Sequence, residues 1–167
     1  ILRPCWPMEN IKIRTFDQGD RDWLIRQHQE HYALEEGFDD SFGVLVTQII
    51  DEFLRDHDPA CERDWIAQKG NQRLGSIFCV KLNAQRAKLR LFLLVPEARG
   101  HGLGQRMLQT CMRFARDQGY VGMQLWTHES HRAAGALYAR SGWELTDSRP
   151  AVSFGKANVE QTWEILL

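Results

Sequence analysis

A turn of six residues, Arg99 to Gly104, combines an arginine with three glycines between an apolar segment and a helical pattern. The first N–H groups of a helix have no partners within the helix, and the helix dipole places partial positive charge beside them. Glycines carry no side chains that would keep phosphate oxygens away from these N–H groups, and Arg99 would add a charge-assisted contact. The pattern therefore predicts a phosphate-binding turn. The alternative is a tight turn with positive φ, for which one or two glycines would be enough.

Two well-known phosphate motifs do not fit this turn. A P-loop ends in Gly-Lys-Ser/Thr, whereas this turn ends in Gly104-Gln105-Arg106. The dinucleotide fingerprint is G-x-G-x-x-G at the start of a first βαβ unit. Here the spacing is R-x-x-G-x-G, and it comes deep in the chain. The P-loop and the dinucleotide fingerprint are therefore excluded for this turn.

Composition excludes several other classes of function. Acidic and basic residues nearly cancel, 22 against 21, which gives no electrostatic argument for contact with nucleic acid or with a membrane surface. No apolar run approaches the roughly 20 residues of a membrane-spanning helix. The cysteines have no metal-ligand spacing, which predicts no metal site and favours a reducing, cytoplasmic environment. They are Cys5, Cys61, Cys79 and Cys111.

Hydrophobic periodicity assigns the elements that position the turn. Leu103 to Gln118 is predicted to be a helix, because its apolar residues share one face, and Gly119 is a suitable residue to end it. The predicted strands are Asn10–Phe16, two strands around Gly70-Asn71, Lys88–Val95, Gly122–His128, Gly142–Asp147 and Gln161–Leu167. The other predicted helices are one ending near Gly37, Val44–Leu54 and His131–Arg140.

These elements follow the order β-α-α-β-β-β-α-β-α-β-β. Successive strands imply antiparallel hairpins, whereas the β-α-β passage from Lys88 to Thr127 implies a parallel crossover pair. We therefore expect an α/β protein with a mixed sheet and helices on both faces. Residues 1–167 are expected to form a single domain.

Two segments resemble the GCN5-related N-acetyltransferases, the GNAT superfamily. "LFLLVPEARGHGLGQRML", from Leu91 to Leu108, resembles the family's Q/R-x-x-G-x-G/A motif, and "HRAAGALYARSGW", from His131 to Trp143, resembles the helix that follows. "QHQEHYALEEGF", "AKLRLFLLVPEARG" and "SFGKANVEQTWE" also resemble the acetyltransferase domain fused behind MarR-type DNA-binding domains in some bacterial regulators. The chain would then be a stand-alone relative or a domain of such a protein.

The resemblance implies the GNAT fold, a mostly antiparallel sheet in which the parallel strands four and five splay apart around acetyl-CoA. It implies that the pantetheine arm pairs with the backbone of Phe92, Leu93 and Leu94. The pyrophosphate would rest on the N–H groups of the glycine turn, with Arg99 beside it. That turn contributes Gly100, His101, Gly102, Leu103, Gly104 and Gln105. Phosphate at Gly102 and Gly104 would make these glycines the hardest to replace.

Catalytic residues are also implied by the resemblance. Tyr138 matches the family tyrosine that commonly protonates the leaving thiolate; the alternative is that it only packs against the cofactor. His131 stands where the family usually has an asparagine that binds the pantetheine arm, and it could equally be only a residue of the helix N-terminus. The general base varies within the family; Glu129 is our first choice, with His128, Glu35 or a chain of water molecules as alternatives. Each of these side chains could equally be only a solvated surface residue.

The sequence therefore predicts an acetyl-CoA-dependent N-acetyltransferase that acts on a primary amine of a small molecule or a protein. The alternative is a non-catalytic acyl-CoA-binding module that senses the cofactor or mediates association. The acceptor amine and the oligomeric state, a homodimer included, stay open.

Overall fold

Residues 10–167, the range that this computed structural model describes, form a mixed seven-stranded sheet and four α-helices. The strands are β1 (Ile11–Thr15), β2 (Arg63–Lys69), β3 (Gln72–Lys81), β4 (Arg86–Leu94), β5 (Gly122–His128), β6 (Glu144–Ser153) and β7 (Lys156–Leu166). The helices are α1 (Arg21–Glu36), α2 (Ser41–Asp56), α3 (Leu103–Asp117) and α4 (Arg132–Arg140). The predicted order of elements is confirmed.

The sheet order is β1-β2-β3-β4-β5-β7-β6. The pair β4–β5 is parallel and is joined through α3, whereas the other neighbouring pairs are antiparallel. Pairing between β4 and β5 covers Arg86–Lys88 against Gly122–Gln124. The predicted mixed sheet with a splayed parallel pair is confirmed, and it opens toward the carboxyl ends of these two strands.

Helices cover both faces of the sheet. On one face, Met107, Leu108 and Cys111 of α3 belong to a buried cluster that continues into α4. On the other face, Leu24 of α1 and Ile50 of α2 belong to a second buried cluster with Phe78 and Val46. The prediction of helices on both faces is therefore confirmed. Cys79 and Cys111 are buried, as small apolar residues commonly are, and Cys5 lies outside the described residues.

The last two strands are longer than predicted. The sequence predicted strands at 142–147 and 161–167, whereas β6 and β7 continue to a tight turn at Phe154 and Gly155. Both turn residues have positive φ, 53° and 74°, which is the geometry of a close hairpin connection. The prediction was too short because β6 is an edge strand, open to solvent and tolerant of Pro150, so its alternation of apolar and polar residues is weak.

Within residues 10–167, no helix is long and apolar enough to cross a membrane. The same range contains no group of three or more His, Cys, Asp or Glu side chains that could hold a metal ion.

Candidate active site

The opening between β4 and β5 begins at Lys88, the last residue of β4 that pairs with β5. Just beyond it, the register between β3 and β4 shifts at a bulge that contains Leu91. The backbone φ of Leu91 is 49°, a left-handed conformation that residues other than glycine rarely adopt. The Ser76 hydroxyl donates a 2.6 Å hydrogen bond to the Leu91 carbonyl and holds the bulge in place. The backbone of β4 beyond the bulge, including Phe92, therefore lines a V-shaped opening.

The glycine turn connects this opening to the start of α3. Gly100 and Gly102 have φ values of 78° and 83°, which favour glycine, and Gly102 is the N-cap residue of α3. Gly104 is buried, and a Cβ there would lie 3.3 Å from Leu94 Cδ1 and 3.4 Å from Leu137 Cδ2. Gly104 thus lets α3 approach β4 and α4, whereas Gly102 keeps the helix end open, because a Cβ there would contact nothing within 4 Å.

Arg99 links the turn to α1. Its Nη1 lies 2.7 Å from Glu35 Oε1, and its Nε donates to the Leu94 carbonyl at 3.1 Å. The carboxylate partner of Arg99 is therefore Glu35 of α1, which comes 64 positions earlier in the sequence. Both members of the pair are about two-fifths exposed, at 41% and 39%, and ion pairs of this kind contribute little stability. Breaking this ion pair would therefore cost little stability.

Tyr138 lies on α4 at the inner wall of the opening and is buried. Its ring is 5.8 Å from Trp143, 6.1 Å from Trp163 and 6.5 Å from Phe92, centroid to centroid. Burial raises the pKa of the Tyr138 phenol well above its usual value, and the phenol of Tyr32 on α1 acts in the same direction. Tyr138 is therefore protonated at neutral pH.

The buried carboxylate of Glu36 contacts two other polar side chains of the site. Its Oε1 lies 3.0 Å from His131 Nε2, and its Oε2 accepts a hydrogen bond from the Ser130 hydroxyl. His131 Nδ1 lies 3.2 Å from Thr127 Oγ1. Burial lowers the pKa of His131 even though Glu36 raises it. A neutral imidazole is therefore held between a carboxylate and a hydroxyl.

His131 occupies the N-cap position of α4 without a side-chain capping bond, because its ring turns toward Glu36.

The three base candidates from the sequence lie around this pair. Glu129 is exposed, and its N–H donates to the Val159 carbonyl. His128 packs 5.8 Å from the His131 ring, and burial lowers its pKa. Glu35 is bound to Arg99.

Sequence reasoning missed Glu36. A local signal existed, because Tyr32 and Glu36 are four residues apart and therefore share a face of α1. Gly37, with a φ of 70°, ends the helix directly after Glu36. The Tyr32 ring lies 4.9 Å from the His131 ring, so this helix face points into the site. A carboxylate on a helix is usually solvated, so its spacing from Tyr32 alone does not identify a site residue.

An aromatic wall closes the site on the side of α1 and α2. It consists of Tyr32, Phe38, Phe42 and Phe154, whose rings lie 4.4 to 5.6 Å apart in five contacts. The wall is fastened through the backbone, because the Asp39 N–H donates to the Phe154 carbonyl at 2.9 Å. The α1–α2 loop therefore rests on the β6–β7 turn, a contact that the sequence did not predict.

This sheet, with its splayed parallel pair, matches the fold of solved acetyltransferase structures. The family model described as "Acetyltransferase (GNAT) family" matches residues 2–143. The chain belongs to this family.

Similar proteins agree with this membership. N-acetyltransferase 8F1 of Rattus norvegicus is 33% identical over 90 residues, which are 51% of this chain and 41% of the relative. The match therefore spans about two-fifths of that relative's length. A GNAT-family acetyltransferase structure from Staphylococcus aureus has a TM-score of 0.77 at 16% identity, covering 93% of this chain and 98% of the other. Spermidine N-acetyltransferase from Vibrio cholerae, in complex with CoA and spermine, has a TM-score of 0.73 at 14% identity, covering 95% and 96%.

Proposed function

We propose that this chain transfers the acetyl group of acetyl-CoA directly to a primary amine of a small molecule or a protein. The observation that carries the proposal is the V-shaped opening, which begins at Lys88 and leads to the glycine turn of α3. Backbone groups lie along one side of this opening and helix N–H groups lie at its end, as an extended arm with a pyrophosphate requires. The Vibrio cholerae protein of the same fold is described with CoA and an amine, spermine, which supports this class of reaction.

Acetyl-CoA is proposed to bind along β4. Phe92, Leu93 and Leu94 would offer backbone groups to the pantetheine arm. The turn residues Gly100, His101, Gly102, Leu103, Gly104 and Gln105 would offer N–H groups to the pyrophosphate. Arg99 would leave Glu35 and pair with phosphate, which is a stronger partner for a guanidinium than a half-exposed carboxylate.

Tyr138 is proposed as the general acid. Amine attack on the thioester expels a thiolate, and a positioned proton donor lowers the barrier for this step. Burial keeps the Tyr138 phenol protonated, and the aromatic residues around it fix its ring. The phenol would give its proton to the departing sulfur.

For the general base we propose the Glu36–His131 pair in preference to Glu129, which is exposed. An attacking amine must first lose a proton, and a neutral imidazole at neutral pH can accept it. The proton would reach His131 Nδ1 through the Thr127 hydroxyl 3.2 Å away, and Glu36 would stabilise the resulting imidazolium. Glu129 stays the base predicted from the sequence, and the variants Glu36→Gln and Glu129→Gln distinguish the two assignments.

A thiol-release assay with a panel of amines tests the proposal. We expect CoA release that depends on the amine and exceeds hydrolysis. If acetyl-CoA binds but no amine gives turnover, the chain is a non-catalytic acyl-CoA-binding module instead.

Two finer assignments also remain proposals. The likeness to domains fused behind MarR-type regulators rests on three segments that meet at this site, those around Tyr32, Leu91 and Phe154. A winged-helix segment encoded directly upstream of Ile1 would support it. A cytoplasmic location rests on the cysteine pattern, and fractionation of cells that express the protein would test it.

A further inference from the structure

Two cations, Lys88 and Arg90, lie side by side on β4 where the opening begins. Arg90 is the cross-strand partner of Phe78, which is buried against α1 and α2. Side chains two residues apart on a strand share a face, so both cations face the α1–α2 side. Lys88 is only 7% exposed. Its Nζ lies 3.6 Å from the centre of the ring of Trp126, a β5 residue that is 65% exposed.

Neither cation has an anionic partner among residues 10–167. The row of Lys88 leads through Gln124 to Glu164, two strands away. Both carboxylate oxygens of Glu164 already have partners, one in Arg86 at 3.1 Å and the other in Gln124 at 2.9 Å. Glu36 is taken by Ser130 and His131. The row of Arg90 leads through buried Phe78 to Asp64, two strands away.

A buried cation without a counter-ion is unfavourable, and a second cation beside it adds repulsion. Burial and Arg90 together lower the pKa of Lys88 to about 8. The contact with the Trp126 ring offsets only part of this cost. An anion bound beside the two cations would offset the rest of this cost.

The position of the two cations indicates which anion this is. With its pyrophosphate at the N-terminus of α3, the pantetheine arm would run back along β4 toward Lys88. The acetyl group would then end near the bulge at Leu91, beside Arg90. The acceptor must bring its amine to the same point, where the two cations face the α1–α2 side of the sheet.

We propose that Lys88 and Arg90, with Trp126 as the floor, bind a carboxylate of the acceptor, so that the acceptor is an amine that also carries a carboxylate. This inference rests on the proposed function. An arginine beside a lysine suits a carboxylate, because the guanidinium can donate two parallel hydrogen bonds.

The test compares carboxylates with their uncharged counterparts. Glycine, β-alanine, 4-aminobutyrate and phenylalanine are each assayed beside the corresponding carboxamide, which keeps the amine and the chain length. We expect at least one carboxylate to exceed its carboxamide about tenfold in kcat/KM, the scale of one charge-assisted hydrogen bond. Lys88→Gln and Arg90→Gln should reduce this ratio to about one, mainly through KM. Arg116→Gln, at an exposed arginine of α3, should leave the ratio unchanged.

Three results would overturn the inference. The wild-type protein could accept carboxamides as well as carboxylates. The two variants could lose both substrate types equally, which would place Lys88 in proton transfer. The Arg116 variant could reduce the ratio to the same extent.

A failure of the proposed function has a different signature. If no amine is acetylated, calorimetric titration of the same carboxylates and carboxamides into the CoA complex decides the matter. Carboxylate binding that Lys88→Gln abolishes would keep the anion site and refute catalysis. Equal binding of the two compound types, or none, would overturn the site.

Discussion

Replacing Lys88 with methionine should stabilise the folded protein. The pKa of Lys88 falls from 10.5 to about 8 on folding, with burial as the main cause and Arg90 as the second. A shift of this size corresponds to about 3 kcal/mol of destabilisation of the charged form. Methionine is similar in length and packs well against an aromatic ring, but it gives up the attraction between the ammonium and Trp126, which amounts to about 1 kcal/mol. We expect a net gain of about 1–2 kcal/mol at pH 7.

The gain should depend on pH in a defined direction. Below about pH 8, Lys88 is protonated in both the folded and the unfolded state, so the full cost of its charge is present. Between about pH 8 and 10.5 the unfolded state binds more protons, so the wild-type protein gains stability relative to the variant as pH rises. The advantage of Lys88→Met should therefore shrink across this window.

Urea unfolding at pH 7 and at about pH 9.5 measures both effects as shifts in the midpoint at constant m-value. Lys81→Met, at an exposed lysine at the end of β3, is the matched control and should change stability by no more than about 0.5 kcal/mol. A Lys88→Met variant less stable than wild type at pH 7 would refute the reasoning. So would an advantage that is the same at both pH values.

The other predictions concern the proposed cofactor seat and catalysis. Tyr138→Phe should lower kcat by about 10² or more with little change in acetyl-CoA affinity, and a kcat within a few-fold of wild type would leave this residue as packing only. Gly102→Glu should greatly weaken acetyl-CoA binding in calorimetry while circular dichroism shows a retained fold, and unchanged affinity would contradict the phosphate seat. Arg99→Ala should weaken CoA but hardly affect pantetheine, which lacks the pyrophosphate; equal losses would make Arg99 structural. Glu36→Gln removes the carboxylate that raises the pKa of His131, so the acid limb of the pH–kcat/KM profile should move to lower pH and the rate should fall. If Glu129→Gln produces the loss instead, the base is Glu129.

Features of the fold that depend on neighbouring residues could be predicted from the sequence. The buried face of α3 follows from apolar residues at helical spacing. Gly102 marks the start of this helix, because the backbone there has a positive φ of 83° that favours glycine. The parallel β4–β5 pair follows because a strand, a helix and a strand in succession have few other arrangements. These signals lie within segments of one or two elements.

The polar contacts of the site could not be predicted in the same way. Ser130 and Glu36 are 94 positions apart, and Arg99 and Glu35 are 64 apart. Nothing in either segment identifies its partner, because a carboxylate at a helix end is usually solvated. The docking of the α1–α2 loop on the β6–β7 turn brings these segments together, and that contact depends on the packing of aromatic rings such as Phe38 on Phe154.

The bulge at Leu91 would allow one strand to contact both of the proposed substrates. Along a regular strand, Lys88, Arg90 and Phe92 would all face the same side. The extra residue at the bulge reverses this alternation. Arg90 pairs with Phe78 on the α1–α2 face, whereas the Phe92 ring lies 3.8 Å from the Cβ position of Gly104, on the α3 face. The cations of β4 therefore face the side from which an acceptor would enter, and the segment beyond the bulge follows the glycine turn. Because Ser76 fixes the bulge through the Leu91 carbonyl, this one side chain of β3 positions the residues that we assign to the two sites relative to each other.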